Sequence, residues 1–136
     1  MGQMSWMGVI LAVPQRSAVN VLVVDDDDLI RDIVCDTLRR AGYAVTGVAG
    51  VQDGLASLEK AGPDVVLTDI GLFDGSGMEI LDTARDLSHP PEVILMSGSL
   101  EEAEYPQLRQ AGVTDFLVKP FGLPELIDIV RATRNP

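Results

Sequence analysis

Two adjacent carboxylates at Asp25-Asp26, a third at Asp69, a hydroxyl at Ser97 and an ammonium at Lys119 are the residues of this chain with chemistry to offer. Each follows an apolar run, the runs being Val19–Val24, Asp64–Thr68, Val93–Met96 and Val113–Val118. If those runs are strands of one parallel sheet, their carboxyl ends share an edge and the side chains meet in one pocket. Carboxylates are hard oxygen donors of the kind Mg2+ takes, a few at a time, together with waters and phosphate oxygens. A carboxylate is also a usable nucleophile toward phosphorus. The obstacle is repulsion between carboxylate and phosphate, which a dication and a positioned ammonium offset. Such a pocket can hold a divalent cation and let a carboxylate accept a phosphoryl group.

The elements between these residues alternate. Val19–Val24 is an almost unbroken β-branched and Leu run, as expected of a strand covered on both faces. Leu29–Ala41 repeats apolar residues at Ile30, Ile33, Val34, Leu38 and Ala41, which is helical spacing, and Gly42 is placed to end it. Tyr43–Ala49 reads as a short second strand. Val51–Ala61 reads as a helix with Leu55 and Leu58 inward, stopped by Gly62-Pro63. Asp64–Thr68 is the third strand and Gly77–Leu87 the third helix. Pro90-Pro91 precedes strand Val93–Met96. A weaker helix within Glu101–Ala111 carries Pro106, which must break it or form its first turn. Gly112 leads into strand Val113–Val118, and Leu123–Ala132 closes as a helix entered at Pro124. Strands alternating with helices imply an α/β fold, a parallel sheet with helices on both faces.

Composition narrows the function. The chain has 136 residues with 10 Lys and Arg against 21 Asp and Glu, a formal charge of −11. That length suits one domain with a core large enough to need no disulfide or structural metal. Such a charge repels nucleic-acid phosphates and anionic lipid, so direct nucleic-acid binding is not expected, and with no apolar run long enough to span a bilayer neither is membrane insertion. Cys35 is the single cysteine, which rules out an internal disulfide and fits a reducing cytoplasm. The first 19 residues differ from the rest: they hold three of the five Met, Trp6 and no acidic residue. They read as a flexible leader, with a docking segment around Trp6 and Ile10 as the alternative.

The order and spacing of Val24-Asp-Asp26, Thr68-Asp69, Ser97 and Lys119-Pro120 resemble the receiver domain of two-component response regulators, over Asn20 to about Arg134. The resemblance implies a flavodoxin-like (βα)5 doubly wound parallel five-stranded sheet of order 2-1-3-4-5, which right-handed crossovers also favour. The shorter, more polar second strand suits an edge. It implies that Asp25 and Asp26 hold Mg2+ with Asp69 and the backbone carbonyl of Gly71. Asp69 is then the phosphoacceptor, and Lys119 pairs with phosphoryl oxygens. Ser97 donates a hydrogen bond to the phosphoryl group, and Phe116 occupies the aromatic switch position, although core packing explains a Phe there nearly as well. A cis bond before Pro120 would aim Lys119 into the pocket. Asp28 is the best candidate to start the first helix.

The chain also departs from the family. Phe73 stands where the family usually has Pro, and Gly71 and Ser99 are small where side chains shape water access. His89 reads as surface, Cys35 as a small core hydrophobe, and Arg39-Arg40 and Glu59-Lys60 as solvated helix faces. The implied protein is a single-domain receiver in the cytoplasm rather than a turnover enzyme, limited to self-phosphorylation and slow self-dephosphorylation. Its phosphoryl donor is a sensor histidine kinase or a histidine phosphotransfer protein. Output is partner binding or onward phosphorelay transfer, and a homodimer is open. The alternatives are a receiver fragment of a hybrid histidine kinase or other multidomain regulator, and a pseudo-receiver scaffold that works without phosphorylation. A hydrolase on the same fold lacks a second nucleophile or general base.

Overall fold

The computed structural model describes residues 18–134; the expected leader lies almost wholly outside them. Five strands form one parallel sheet: β1 (Asn20–Val24), β2 (Ala44–Val48), β3 (Val65–Asp69), β4 (Glu92–Ser97) and β5 (Asp115–Val118). Their spatial order is β2-β1-β3-β4-β5, the order expected of the flavodoxin-like unit. Five helices alternate with them: α1 (Asp28–Arg40), α2 (Val51–Ala61), α3 (Gly77–Arg85), α4 (Tyr105–Gln110) and α5 (Leu123–Arg134). Between β3 and α3 a small antiparallel hairpin pairs Gly71–Leu72 with Gly75–Ser76.

Strand side chains alternate between two cores, as the period of two requires. Val21, Val23, Val65, Leu67, Ile94, Met96 and Leu117 face one way and meet Val34 and Leu38 of α1 with Leu126 and Val130 of α5. Leu22, Val24, Val66, Val93 and Leu95 face the other way and meet Val51 and Leu58 of α2 with Ile80, Leu81 and Ala84 of α3. Both faces of the central strands are therefore covered, which explains why their sequences read as continuous apolar runs. β2 is an edge strand with no fully buried residue.

The helices depart in detail from the sequence expectations. In α1 the buried stripe is Val34, Cys35 and Leu38, while Ile33 is 43 % exposed at its margin. Asp27, not Asp28, caps α1: its side chain accepts from the Ile30 amide at 3.1 Å, and Asp28 is the first helical residue. α3 ends at Arg85, because the Asp86 and Leu87 amides turn back onto Thr83 and Ala84. The fourth helical segment is a 3-10 turn at Glu102–Glu104 followed by α4, with Pro106 in its first turn, where a missing N–H costs nothing. Cys35 is buried and His89 exposed, as expected.

Candidate functional site

β1, β3 and β5 end at the same edge, and their terminal residues converge. Lys119 Nζ donates to Asp25 Oδ2 and to Asp69 Oδ2, both at 2.9 Å. The three side chains are enclosed: Asp25 is fully buried, Asp69 16 % exposed and Lys119 20 % exposed. Lys119 precedes a cis peptide bond to Pro120. Its own amide donates to the Ser97 carbonyl at 2.9 Å, which ties the end of β5 to the end of β4.

Asp25 is held from several directions. Its amide donates to the Val48 carbonyl, and its Oδ1 accepts from the Asp27 amide at 2.9 Å. Its carbonyl accepts from Arg31 Nη1 at 2.8 Å. Asp26 is exposed, and its carboxylate makes no hydrogen bond or ion pair among the described residues. Carboxylate oxygens of Asp25, Asp26 and Asp69 lie within 4.8 Å of one another. That is an all-oxygen set suited to a hard divalent cation, with no thiolate or imidazole to favour a softer one.

The electrostatics follow from this crowding. Burial pushes the Asp69 carboxyl above its ordinary value; the Lys119 hydrogen bond and charge oppose that, while Asp25 and Asp26 add to it. Burial alone would lower the Lys119 ammonium, yet its hydrogen bonds to Asp25 and Asp69 prevail and its pKa is raised. Lysine therefore stays protonated between two carboxylates.

The loop after Asp69 is fastened at both ends. The Gly77 amide donates to the Ile70 carbonyl at 2.7 Å, and the Ile70 amide to the Met96 carbonyl. Gly77 opens α3 directly beneath the end of β3, and a Cβ there would overlap the Asp69 carbonyl oxygen and press on Thr68 Oγ1. Ser76 and Glu79 cap α3 with a reciprocal pair of hydrogen bonds. Asp74 reaches across to α2, accepting from the Val51 amide at 2.7 Å and the Gln52 amide at 3.1 Å. These backbone donors hold its carboxyl below the usual carboxylate range. The loop that carries Phe73 in place of Pro is thus pinned by its hairpin and by this cap, while the Phe73 ring itself is 73 % exposed. Gly71 sits in the first arm of the hairpin.

Ser97 ends β4, nearly buried, and its hydroxyl accepts from the Ser99 amide at 3.1 Å. Phe116 is inward, 8 % exposed, and stacks on Tyr105 of α4 with ring centroids 4.1 Å apart. The Arg109 guanidinium lies 5.0 Å from the Phe116 ring centre. Asp25, Asp26, Asp69 and Lys119 therefore form one cluster, with Ser97 joined to it through the Lys119 amide. Phe116 lies in the core behind it. Sequence reasoning missed Arg31 and Asp74. The Asp28–Arg31 spacing of three was a helical pairing signal for Arg31. Asp74 had none, since its partners lie 22 and 23 residues away.

Known proteins share this architecture. The family model for the response regulator receiver domain matches residues 21–131. The KDP operon transcriptional regulatory protein KdpE of Escherichia coli is 37 % identical over 107 residues, 79 % of this chain and 47 % of that protein. The regulatory protein VirG of Agrobacterium fabrum is 34 % identical over 112 residues, covering 82 % of this chain and 44 % of its own length. The chain thus spans about half the length of these relatives. Among solved structures, the chemotaxis response regulator CheY4 of Vibrio cholerae superposes with a TM-score of 0.79 at 29 % identity, covering 85 % of this chain and 98 % of that one. NtrX of Brucella abortus gives 0.77 at 28 % identity, over 85 % of this chain and 27 % of that one. No described helix is long and apolar enough to cross a membrane. With the family model matched over residues 21–131 and the sheet in the order β2-β1-β3-β4-β5, the chain belongs to the response regulator receiver domain family.

Proposed function

We propose that this receiver accepts a phosphoryl group on Asp69 from a phosphohistidine of a sensor histidine kinase or phosphotransfer protein. The observation that carries the reading is the shared contact of Lys119 Nζ with Asp25 and Asp69 at 2.9 Å. A protonated ammonium thus lies against both the Asp69 carboxylate at the end of β3 and the Asp25 carboxylate that follows β1. In the reaction an Asp69 oxygen attacks phosphorus, an O–P bond forms and the P–N bond breaks. The imidazole leaves after taking up a proton. Asp25, Asp26, Asp69 and the Gly71 carbonyl would hold Mg2+, whose charge neutralises the phosphoryl oxygens. Lys119 then trades one carboxylate contact for a phosphoryl oxygen. The Ser97 hydroxyl turns from the Ser99 amide to donate to another phosphoryl oxygen. Because the Lys119 amide is bonded to the Ser97 carbonyl, that motion is felt along β5 toward Phe116. Output is a shift between two arrangements of the segment after Ser97 and the Phe116 region, read by a partner or passed on by phosphorelay.

The test is intact-mass spectrometry after incubation with phosphoramidate, with and without Mg2+, beside Asp69→Ala. One Mg2+-dependent phosphoryl adduct, absent from Asp69→Ala, is expected. A lack of adduct where a control receiver is labelled would point instead to a scaffold that works without phosphorylation. The relatives favour a second reading of the output alone. KdpE is a transcriptional regulatory protein about twice the length of the matched region, so control of transcription is the function we would test first in cells.

A further inference from the structure

We propose that Arg31 is a positioning residue for the acidic pair: its guanidinium fixes the peptide from which Asp26 projects, and thereby completes the cation site. The inference rests on the function proposed above. Asp25 has every polar group engaged. Its amide is taken by Val48, its Oδ1 by the Asp27 amide, its Oδ2 by Lys119 and its carbonyl by Arg31 Nη1 at 2.8 Å. Asp26 has no such help, because its carboxylate has no hydrogen-bond or ion-pair partner among the described residues. No side-chain contact holds it, so the backbone is the one restraint on its direction besides its own rotamer choice. The Asp25–Asp26 peptide is planar, so fixing the Asp25 carbonyl also fixes the Asp26 amide and narrows where the Asp26 carboxylate can sit.

Arg31 is built for this task. It stands in the first turn of α1, with its amide bonded to the Asp27 carbonyl at 2.9 Å. Its second arm, Nη2, donates to Asp28 Oδ1 at 2.7 Å. One rigid guanidinium thus spans both ends of the four-aspartate turn, which a lysine's single point charge does not reproduce. The side chain is only 18 % exposed. It crosses β2 at Gly47, where a Cβ would lie 3.4 Å from its Cγ and 2.7 Å from Cys35 Sγ. The glycine leaves room there chiefly for Cys35 Sγ, and the arginine stem passes it at van der Waals distance.

The sign of one measurement decides the matter. Arg31 is a cation beside a cation site, so by charge alone its removal strengthens Mg2+ binding. If it positions Asp26, its removal weakens binding. Mg2+ titration by calorimetry on the full chain should show Arg31→Gln weakened about tenfold, the scale set by losing a group that orients a metal ligand. Arg31→Lys keeps the charge and stem but loses the fork, and should be weakened severalfold. Asp28→Asn leaves the Asp25 carbonyl bond intact and should change the dissociation constant by less than about twofold. Thermal melts accompany each variant; if Arg31→Gln does not fold, Arg31→Lys decides. Unchanged or tighter Mg2+ binding in the folded arginine variants, with wild type still binding Mg2+ and accepting phosphate, overturns this inference alone. A wild-type chain that neither binds Mg2+ nor is labelled overturns the function proposed above, and this inference with it.

Discussion

Helix α1 runs for 13 residues, is capped by Asp27 and buries Val34, Cys35 and Leu38 against the sheet. Helix α4, on the opposite face, runs for 6 residues, follows a 3-10 turn and buries no residue completely. The first leans on a continuous core. The second is held by the Tyr105–Phe116 stack, the Arg109 contacts to Phe116, Thr114 and Asp115, and half-buried Leu108. The two helices flank the same edge of the sheet, yet one borders the carboxylates and the other the end of β4. The difference sets a firmly packed helix beside the acidic cluster and a sparsely packed one beside the end of β4, so local opening is expected first at α4.

The comparison breaks first on stability. Leu38→Ala removes a fully buried side chain from the α1 core and should cost about 2–5 kcal/mol in a urea melt. Leu108→Ala in α4 removes a half-buried one and should cost about 1 kcal/mol. Equal costs would mean that α4 is as firmly built as α1.

A smaller effect sharpens the picture. Tyr105→Ala removes the stacked ring and should cost about 0.5–1.5 kcal/mol beyond its buried area. Amide exchange of Leu108–Gln110 should then accelerate, while exchange at Leu38 tracks only the change in global stability. If the α4 amides exchange no faster than those of α1 in either protein, the stack is not what holds the helix.

The smallest expected effect belongs to the Asp74 cap. Its carboxyl is depressed in the folded state by the Val51 and Gln52 amides, so the charged form is the one that stabilises. Its contribution is complete above the unfolded value of about 3.9 and disappears as pH falls through the lower folded value. The melting temperature of Asp74→Ala should therefore lie below wild type at neutral pH, and the gap should close in acid. A gap that persists unchanged through acid would assign the cap's effect to packing rather than to charge.

The sheet was legible because buried parallel strands carry their own signature: Val21–Val24 and Val93–Met96 are apolar without interruption. The acidic cluster was legible because each member ends such a run. Other features depend on geometry that a linear pattern does not encode. Any of four successive aspartates can cap a helix, and only the turn's course selects Asp27 over Asp28. Ile33 fits the apolar spacing of α1 yet lies at the margin of the sheet, where the stripe has turned toward solvent. Asp74 caps a helix that precedes it in the chain, so no local motif announces it. Arg31 reaches back six residues to the Asp25 carbonyl, a side-chain-to-backbone contact that only the folded turn reveals.

Gly77 is the first residue of α3 and touches the last carbonyl of β3, the one belonging to Asp69. Every missense change in a glycine codon adds at least a Cβ. At this position genetic drift thus has only silent paths, since any replacement must lift the helix from the carbonyl it rests on. Position 71, in the same loop, has open space around it and can be recoded freely. Two glycines six residues apart in one gene should thus show opposite histories: one frozen, the other free to vary.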